Sequence, residues 1–224
     1  MSDFHFAFGH REEAEALVMR YHYSHRIPSN IQAVGTLHVD GGLFGDLGEA
    51  IAACFFSIPP TRWGEEVWEL SRLVRDEDHH PSLTSLISST VGELKRRGMI
   101  DLVISFADWT HNHHGGIYQA ASWNFAGKRD RAMDGVIIDG TFKPGRSCNS
   151  MYGTRSPEKL QEMFPMAKIE PHFDEGKYLY WKPLNKAGKN KAERLELQSL
   201  PYPKPGESGS TAVTVVLPEE YATV

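Results

Sequence analysis

An apolar run, residues 102–107, ends on Asp108 and passes into a polar turn holding His111, His113 and His114, then Gly115, Gly116 and Tyr118. Aspartate is a poor strand former, so its place there needs a reason. It either caps a turn or orients and deprotonates a substrate group. The two glycines leave backbone N–H groups unobstructed where a helix begins, which suits an anion but also suits a plain turn. The three histidines lack an HExxH or Cys/His spacing, as does the loop pair His79 and His80. Solvated loop histidines are the simpler reading, with a metal site the alternative. In VWELSRLV, residues 67–74, strict alternation puts Glu69 and Ser71 on one face, with Trp68, Leu70 and Val74 on the other and Arg72 directed to that second face. A glutamate in a core strand costs desolvation energy unless it is paired or functional, and a raised pKa would make it a general base near neutral pH. In RYHYSHR, His22, Tyr23 and Ser24 sit at a helix end, where aromatic packing is the plain alternative to chemistry.

The elements that would position these groups follow from periodicity. Ala14, Leu17, Val18 and Tyr21 share a helical face over 11–23, and Pro28 ends that helix. Residues 32–39 read as a strand. The continuous apolar run 50–58 reads as a buried strand. A second helix is expected over 82–97, with Ser82 as N-cap, Lys95 to Arg97 in the last turn and Gly98 at C′. The strand 102–107 and a helix over 116–123 follow. NFAG opens a further strand, and GVIIDG, residues 135–140, is another. SPEKLQEMF reads as a helix capped by Ser156, and 177–184 as the last strand. The expected class is α/β with a mixed sheet, one domain over residues 1–200. From Pro201 to residue 224 the composition shifts to a linker and tail.

The chain has 224 residues, of which 40% are hydrophobic, which suits one core. Its net charge of −5 does not advertise a nucleic-acid binder. Basic residues nevertheless cluster at 127–131, 143–146 and 182–194, the last with little apolar pattern. Cys54 and Cys148 stand far apart, and Cys54 reads as a buried free thiol rather than half of a disulfide. No stretch approaches the roughly 18 apolar residues of a membrane span, and no apolar leader is visible, so a cytoplasmic location is expected, that of the host cell if the chain is phage-encoded.

The order strand, helix, strand, helix over 67–123 resembles the centre of the GNAT acyltransferase fold, in which two parallel strands splay apart around acyl-CoA. More narrowly, YHYSH at 21–25, WELSRLVR at 68–75 and SFAD to GGIYQAASW at 105–123 resemble the Mom family of phage DNA-modifying proteins. The resemblance implies conversion of adenine in DNA to an N6-modified, methylcarbamoyl-type adenine that shields the DNA from restriction. It covers roughly residues 12 to 185.

The resemblance points to His22, Tyr23, Ser105, Asp108 and Tyr118 as catalytic, with His22, Asp108 and Tyr118 meeting at one cleft. Asp108 would orient or deprotonate the adenine amine, and Tyr118 would donate a hydrogen bond or stack on the base. A CoA-type donor such as acetyl-CoA is implied along Leu73, Val74 and Arg75 and at the helix start, Ser82, Thr84 and Ser85. Iron is a further implied cofactor, since His22, Tyr23 and Asp108 could ligate it. The loop before Ser82, VRDEDHHPS, departs from the family pattern: it has three acids and no glycine, which disfavours a pyrophosphate. The implied partner is double-stranded DNA with its target base extruded onto Trp109, Trp123 and Tyr118, the basic clusters meeting phosphates. A homodimer is a further expected assembly. Two other functions fit the same residues: N-acylation of a small-molecule or protein amine, and a non-catalytic DNA- or metal-binding protein on the same fold.

Overall fold

The computed structural model describes residues 4–22, 24–42, 46–59, 63, 66–108, 114–129 and 131–204, apart from the side chain of Arg146. Seven strands form the main sheet in the order β1-β2-β3-β4-β5-β10-β6. They are β1 (His5–Phe8), β2 (Ile31–Asp40), β3 (Leu47–Ser57), β4 (Val67–Arg75), β5 (Leu102–Asp108), β6 (Asn124–Arg129) and β10 (Lys177–Pro183). Only β4 and β5 pair in parallel; the other neighbours are antiparallel. A smaller sheet, β8-β7-β9, holds β7 (Met133–Ile138), β8 (Thr141–Pro144) and β9 (Ile169–Phe173). This is the mixed α/β architecture with a splayed parallel pair that the GNAT resemblance implies.

Helices cover both faces of the main sheet. Helix α1 (Arg11–Tyr21) lays Ala14, Leu17 and Val18 on Val34, Phe55 and Val74. Helix α2 (Leu83–Arg97) lays Leu86, Ile87, Val91 and Leu94 on the opposite face, among Ala33, Cys54, Phe56 and Leu70. Its ends are as expected: the Ser82 hydroxyl accepts from the Ser85 N–H, and Gly98 takes a left-handed φ of 62°. The α2–sheet approach is close. A Cβ on Gly35 of β2 would lie 2.0 Å from the Thr90 Oγ1 of α2, so only glycine fits there. Thr90 Oγ1 lies 3.1 Å from Cys54 Sγ, and burial pushes the Cys54 thiol up to about 12. Both cysteines are free and buried.

A short helix, α3 (Gly116–Ala120), follows β5 on the α2 side, ending three residues before the expected limit. In the smaller sheet, α4 (Gly145–Tyr152) and α5 (Pro157–Met163) bury Cys148 and Leu160 against Val136. Asp174 ties the two sheets: its carboxylate takes the N–H groups of Ala132 and Gly176, both at 3.1 Å, and pairs with Arg129. Strands β1, β8 and β9 and helices α4 and α6 (Lys186–Arg194) are absent from the sequence reading. They are short or polar, and tertiary contact decides them.

The basic stretch 182–194 is not a solvated tail. Helix α6 packs Ala192 against β5 and β10, and Lys191 is 8% exposed. Its Nζ donates to the Glu66 carbonyl at 3.0 Å and lies 3.6 Å from both the Glu66 and Asp101 carboxylates. Residues 201–204, read as the start of a linker, are held against the domain: the Tyr202 hydroxyl donates to the Trp123 carbonyl at 2.7 Å, and Pro203 O accepts from Gln119. No described helix is long and apolar enough to cross a membrane.

Lys191 and Lys186 therefore separate by role. Lys191→Ala is expected to destabilise the fold by about 1–2 kcal/mol, and Lys186→Ala to change it by within about 0.5 kcal/mol, in urea unfolding followed by circular dichroism.

Candidate active site at the parting of two strands

The parallel ladder of β4 and β5 runs only from Val67↔Leu102 to Glu69↔Ile104. The next pair would be Leu70 and Ser105, and there the strands part. A side chain takes over where the backbone ladder stops. Ser105 Oγ lies 2.9 Å from the Leu70 carbonyl oxygen and 2.8 Å from the Tyr118 hydroxyl. A carbonyl can only accept, so the single Ser105 proton goes to Leu70 and Ser105 accepts from Tyr118. Both side chains are buried.

One strand over, β4 bulges. Arg72 pairs with Phe55 and Leu70 with Phe56, so Ser71 is an extra residue in the ladder. The bulge resets the alternation. Arg72 and Val74 face α1 together with Phe55, and Leu73 joins the α2 side. The strict alternation read from the sequence therefore misassigns Val74, because a one-residue slip exchanges the faces.

The expected single cleft of His22, Asp108 and Tyr118 does not form on one face. Along β5, Val103, Ser105 and Ala107 face α2 and α3, while Leu102, Ile104 and Phe106 face the other way. Alternation puts Asp108 with the latter, on the side that carries α1. Tyr118, the buried residue of α3, meets Ser105 on the opposite face of the sheet.

On the Asp108 side, Lys177 is its register partner on β10, with Nζ 3.2 Å from the carboxylate. His22 is the C-cap of α1 and is 9% exposed. Its Nδ1 accepts from the Ser24 N–H at 3.1 Å and lies 2.8 Å from the Ser24 hydroxyl. A backbone N–H can only donate, so Nδ1 carries no proton and Nε2 is the nitrogen able to present one. The chain after His22 is drawn to β4, where Arg72 Nε donates to the Arg26 carbonyl at 3.2 Å. Arg26 itself donates to the Ser147 hydroxyl of α4 at 2.7 Å. Arg26, in the segment after α1, thus links β4 and α4. Tyr23, Trp109, His111 and His113 lie outside the described residues.

On the other side, rings stack. Tyr118 lies 5.2 Å from Tyr180 and 5.4 Å from Trp123, centroid to centroid. Trp123 is 1% exposed and Tyr118 8%, so neither offers the open surface expected for an extruded base. The Tyr180 hydroxyl donates to the His114 carbonyl at 2.7 Å and accepts from Gln119, and burial raises its pKa to about 12. The Gly115–Gly116 pair has a packing reason. Gly115 has a φ of 82°, and a Cβ there would lie 2.2 Å from the Tyr180 ring.

Around the start of α2, the Ser82 and Ser85 hydroxyls bond each other at 3.0 Å and serve the cap rather than a ligand. Geometry leaves the N–H groups of Leu83 and Thr84 without an intrahelical acceptor. Of the three acids ahead, Asp76 turns inward and is buried. It accepts from the His79 N–H at 3.0 Å and lies 2.5 Å from His79 Nδ1, while Glu77 and Asp78 stay exposed. His79 is thus a partner of Asp76 while staying exposed to solvent. The only His/Cys/Asp/Glu group of ligating geometry among the described residues is elsewhere, at His10, Glu13 and His38.

The model of the Mom protein family matches residues 3–204. No curated protein matches the chain. Among solved structures, the chain is similar to the ribosomal-protein-S18-alanine N-acetyltransferase from Escherichia coli, at 12% identity and a TM-score of 0.48, covering 84% of this chain and 98% of that one. Arabidopsis thaliana NAA60 in complex with a bisubstrate analogue gives 13% and 0.48, covering 81% and 98%. The putative acetyltransferase yncA from Salmonella typhimurium, with its cofactor acetyl-CoA, gives 10% and 0.47, covering 83% and 96%.

The Gly115 contact yields a direct check. Gly115→Ala is expected to cost more than about 2 kcal/mol, because it adds both a strained φ and a clash with Tyr180. Urea unfolding of that variant beside Gly116→Ala, whose Cβ would meet only the His114 ring at 2.9 Å, measures it.

Proposed function

The chain belongs to the Mom protein family, and from that premise we propose that it is an acyl-type transferase acting on the N6 amine of adenine in double-stranded DNA. The amine displaces the CoA thiol from a thioester donor, forming the N6–acyl bond and releasing free CoA, and the N6-modified adenine so formed resists restriction. One observation carries the reading: a carboxylate, Asp108, stands at the carboxyl end of a strand that has just parted from its parallel neighbour. Ligands of open α/β sheets bind beyond the carboxyl ends of strands.

The donor proposed for the parting is a CoA-type thioester, which supplies an activated acyl carbon. The residues fit its amide arm. The β4–β5 ladder ends at Glu69↔Ile104, so main-chain groups of Leu73, Val74 and Arg75 on that edge of β4 are placed to pair with amides. The start of α2 supplies the N–H groups of Leu83 and Thr84 for an anion. The exposed Glu77 and Asp78 oppose phosphates nearby, which sets this loop apart from an ordinary pyrophosphate cradle. Iron finds no support in the geometry: His22 Nδ1 is taken by Ser24 and Asp108 is held by Lys177.

On the acceptor side, the exocyclic amine of adenine is a weak nucleophile. Asp108 orients it and takes its proton as it attacks, while Lys177 pins the carboxylate. His22, fixed by Ser24, presents its Nε2 on the same face. Ser105 and Tyr118 hold the two strands at the correct separation and touch no base. DNA approaches the end of the sheet where Asp108, Lys177 and Arg129 are register partners across β5, β10 and β6, with Lys128 adjacent. Those cations flank the carboxylate where phosphates of a flipped nucleotide would lie.

Nucleoside mass spectrometry of DNA from cells expressing the chain tests the reading. Wild type is expected to yield a modified deoxyadenosine. Asp108→Asn is expected to fold normally, bind DNA and lower the modified fraction on the order of 10²-fold or more. Unmodified DNA with wild-type protein, alongside acylation of a free amine, would point instead to a small-molecule or protein acceptor.

A further inference from the structure

A second cluster lies at the opposite end of α1. His38 of β2 is fully buried, and its Nδ1 lies 3.0 Å from the Gly48 carbonyl. A carbonyl only accepts, so that nitrogen carries the proton and Nε2 keeps its lone pair. Nε2 points toward the start of α1, accepting from the Thr36 hydroxyl at 2.8 Å and lying 3.7 Å from the Glu13 carboxylate; for Nε2 to ligate, that hydroxyl turns wholly to the Ala7 carbonyl, 3.4 Å away. Glu13 Oε2 in turn lies 3.1 Å from His10 Nδ1. One ligating atom from each of His10, Glu13 and His38 falls within 4.8 Å of the others.

We propose that His10, Glu13 and His38 form a binding site for a divalent transition-metal ion of zinc type, which staples the start of α1 to β2. The chemistry suits such an ion. Two imidazoles and one carboxylate are its ordinary ligands, and water completes the shell on the exposed side. Metal–ligand bonds are about 2.0–2.2 Å, so the ligands must draw together slightly. His10 and Glu13, 40% and 52% exposed, are free to rotate, while buried His38 supplies the fixed point. The Gly48 carbonyl does for His38 what outer partners do for metal-bound histidines generally: it sets the tautomer and aims the lone pair. His10 is the N-cap residue of α1 and makes no side-chain cap bond; its ring is turned instead to Glu13 and His38, the other two ligands. The positive end of the α1 dipole opposes a cation, and Glu12 and Glu13 in the first turn offset it. The spacing of the helical pair, i and i+3, resembles that of helix-borne carboxylate–histidine ligand pairs elsewhere. The site is roughly 16 Å, one length of the eleven-residue α1, from His22, so it fixes the helix that presents His22 and takes no part in the chemistry. It stands independently of the DNA-modification reading.

Zinc titrated calorimetrically into chelator-stripped full-length protein tests the site. Wild type is expected to bind one more equivalent than the His10→Ala/Glu13→Gln double variant, and to gain more in melting temperature from zinc. His10→Ala alone is expected to weaken that equivalent on the order of 10-fold or more, and it keeps the test open should the Glu13 change disturb the helix. Weaker zinc binding at other histidines would be common to all three proteins and cancels. Equal stoichiometry and equal thermal gain in wild type and variants would overturn the assignment.

Discussion

The hydroxyl of Ser105 is the hinge pin of this molecule. Parallel strands that part leave carbonyls and N–H groups without partners, and a buried unpaired carbonyl costs about 1–3 kcal/mol. Ser105 meets the first of them, the Leu70 carbonyl, and Tyr118 from α3 meets Ser105. The separation of β4 from β5 is therefore a satisfied geometry rather than a frayed ladder. Everything placed beyond it depends on that. The edge of β4 over 71–75, the start of α2 and the carboxylate of Asp108 all surround the opening that Ser105 begins.

The two faces of the sheet divide the labour. The α2–α3 face is buried and rich in aromatic rings, and close approaches lock it: Gly35 under Thr90, and Gly115 under Tyr180. The α1 face carries the ionisable groups, His22, Glu69, Arg72, Asp108 and Lys177. A rigid floor beneath a charged ceiling suits a transfer in which one reactant enters between strands and the other arrives from the charged side. The smaller sheet joins that side through Ser147 and Arg26 and is anchored from behind by Asp174.

Much of this was legible in the sequence where periodicity is strong. The capping of α2 by Ser82 and Gly98, the buried β3 run and the Asp108 strand end follow from local rules, and the family resemblance agreed with the match over residues 3–204. What was not legible depends on contacts remote in sequence. The extra residue Ser71 reverses the faces of Arg72 and Val74, and no pattern in VWELSRLV announces it. Lys191 reads as one of many surface lysines until Glu66 and Asp101 surround it. Tyr118 and Trp123 read as a stacking platform, yet a sheet and a short helix bury them. His10 and His38 are 28 residues apart, and only the pairing of β1, β2 and α1 brings them to Glu13.

In the proposed function, the opening above Ser105 receives the donor along the edge of β4. Hydrogen–deuterium exchange of the full-length protein, read on peptides covering residues 70–75 with and without acetyl-CoA, tests it most directly. Slower exchange in that stretch is expected on adding acetyl-CoA, with little change in β2 or β3. Identical exchange with and without the thioester, in protein that modifies adenine in cells, would contradict it.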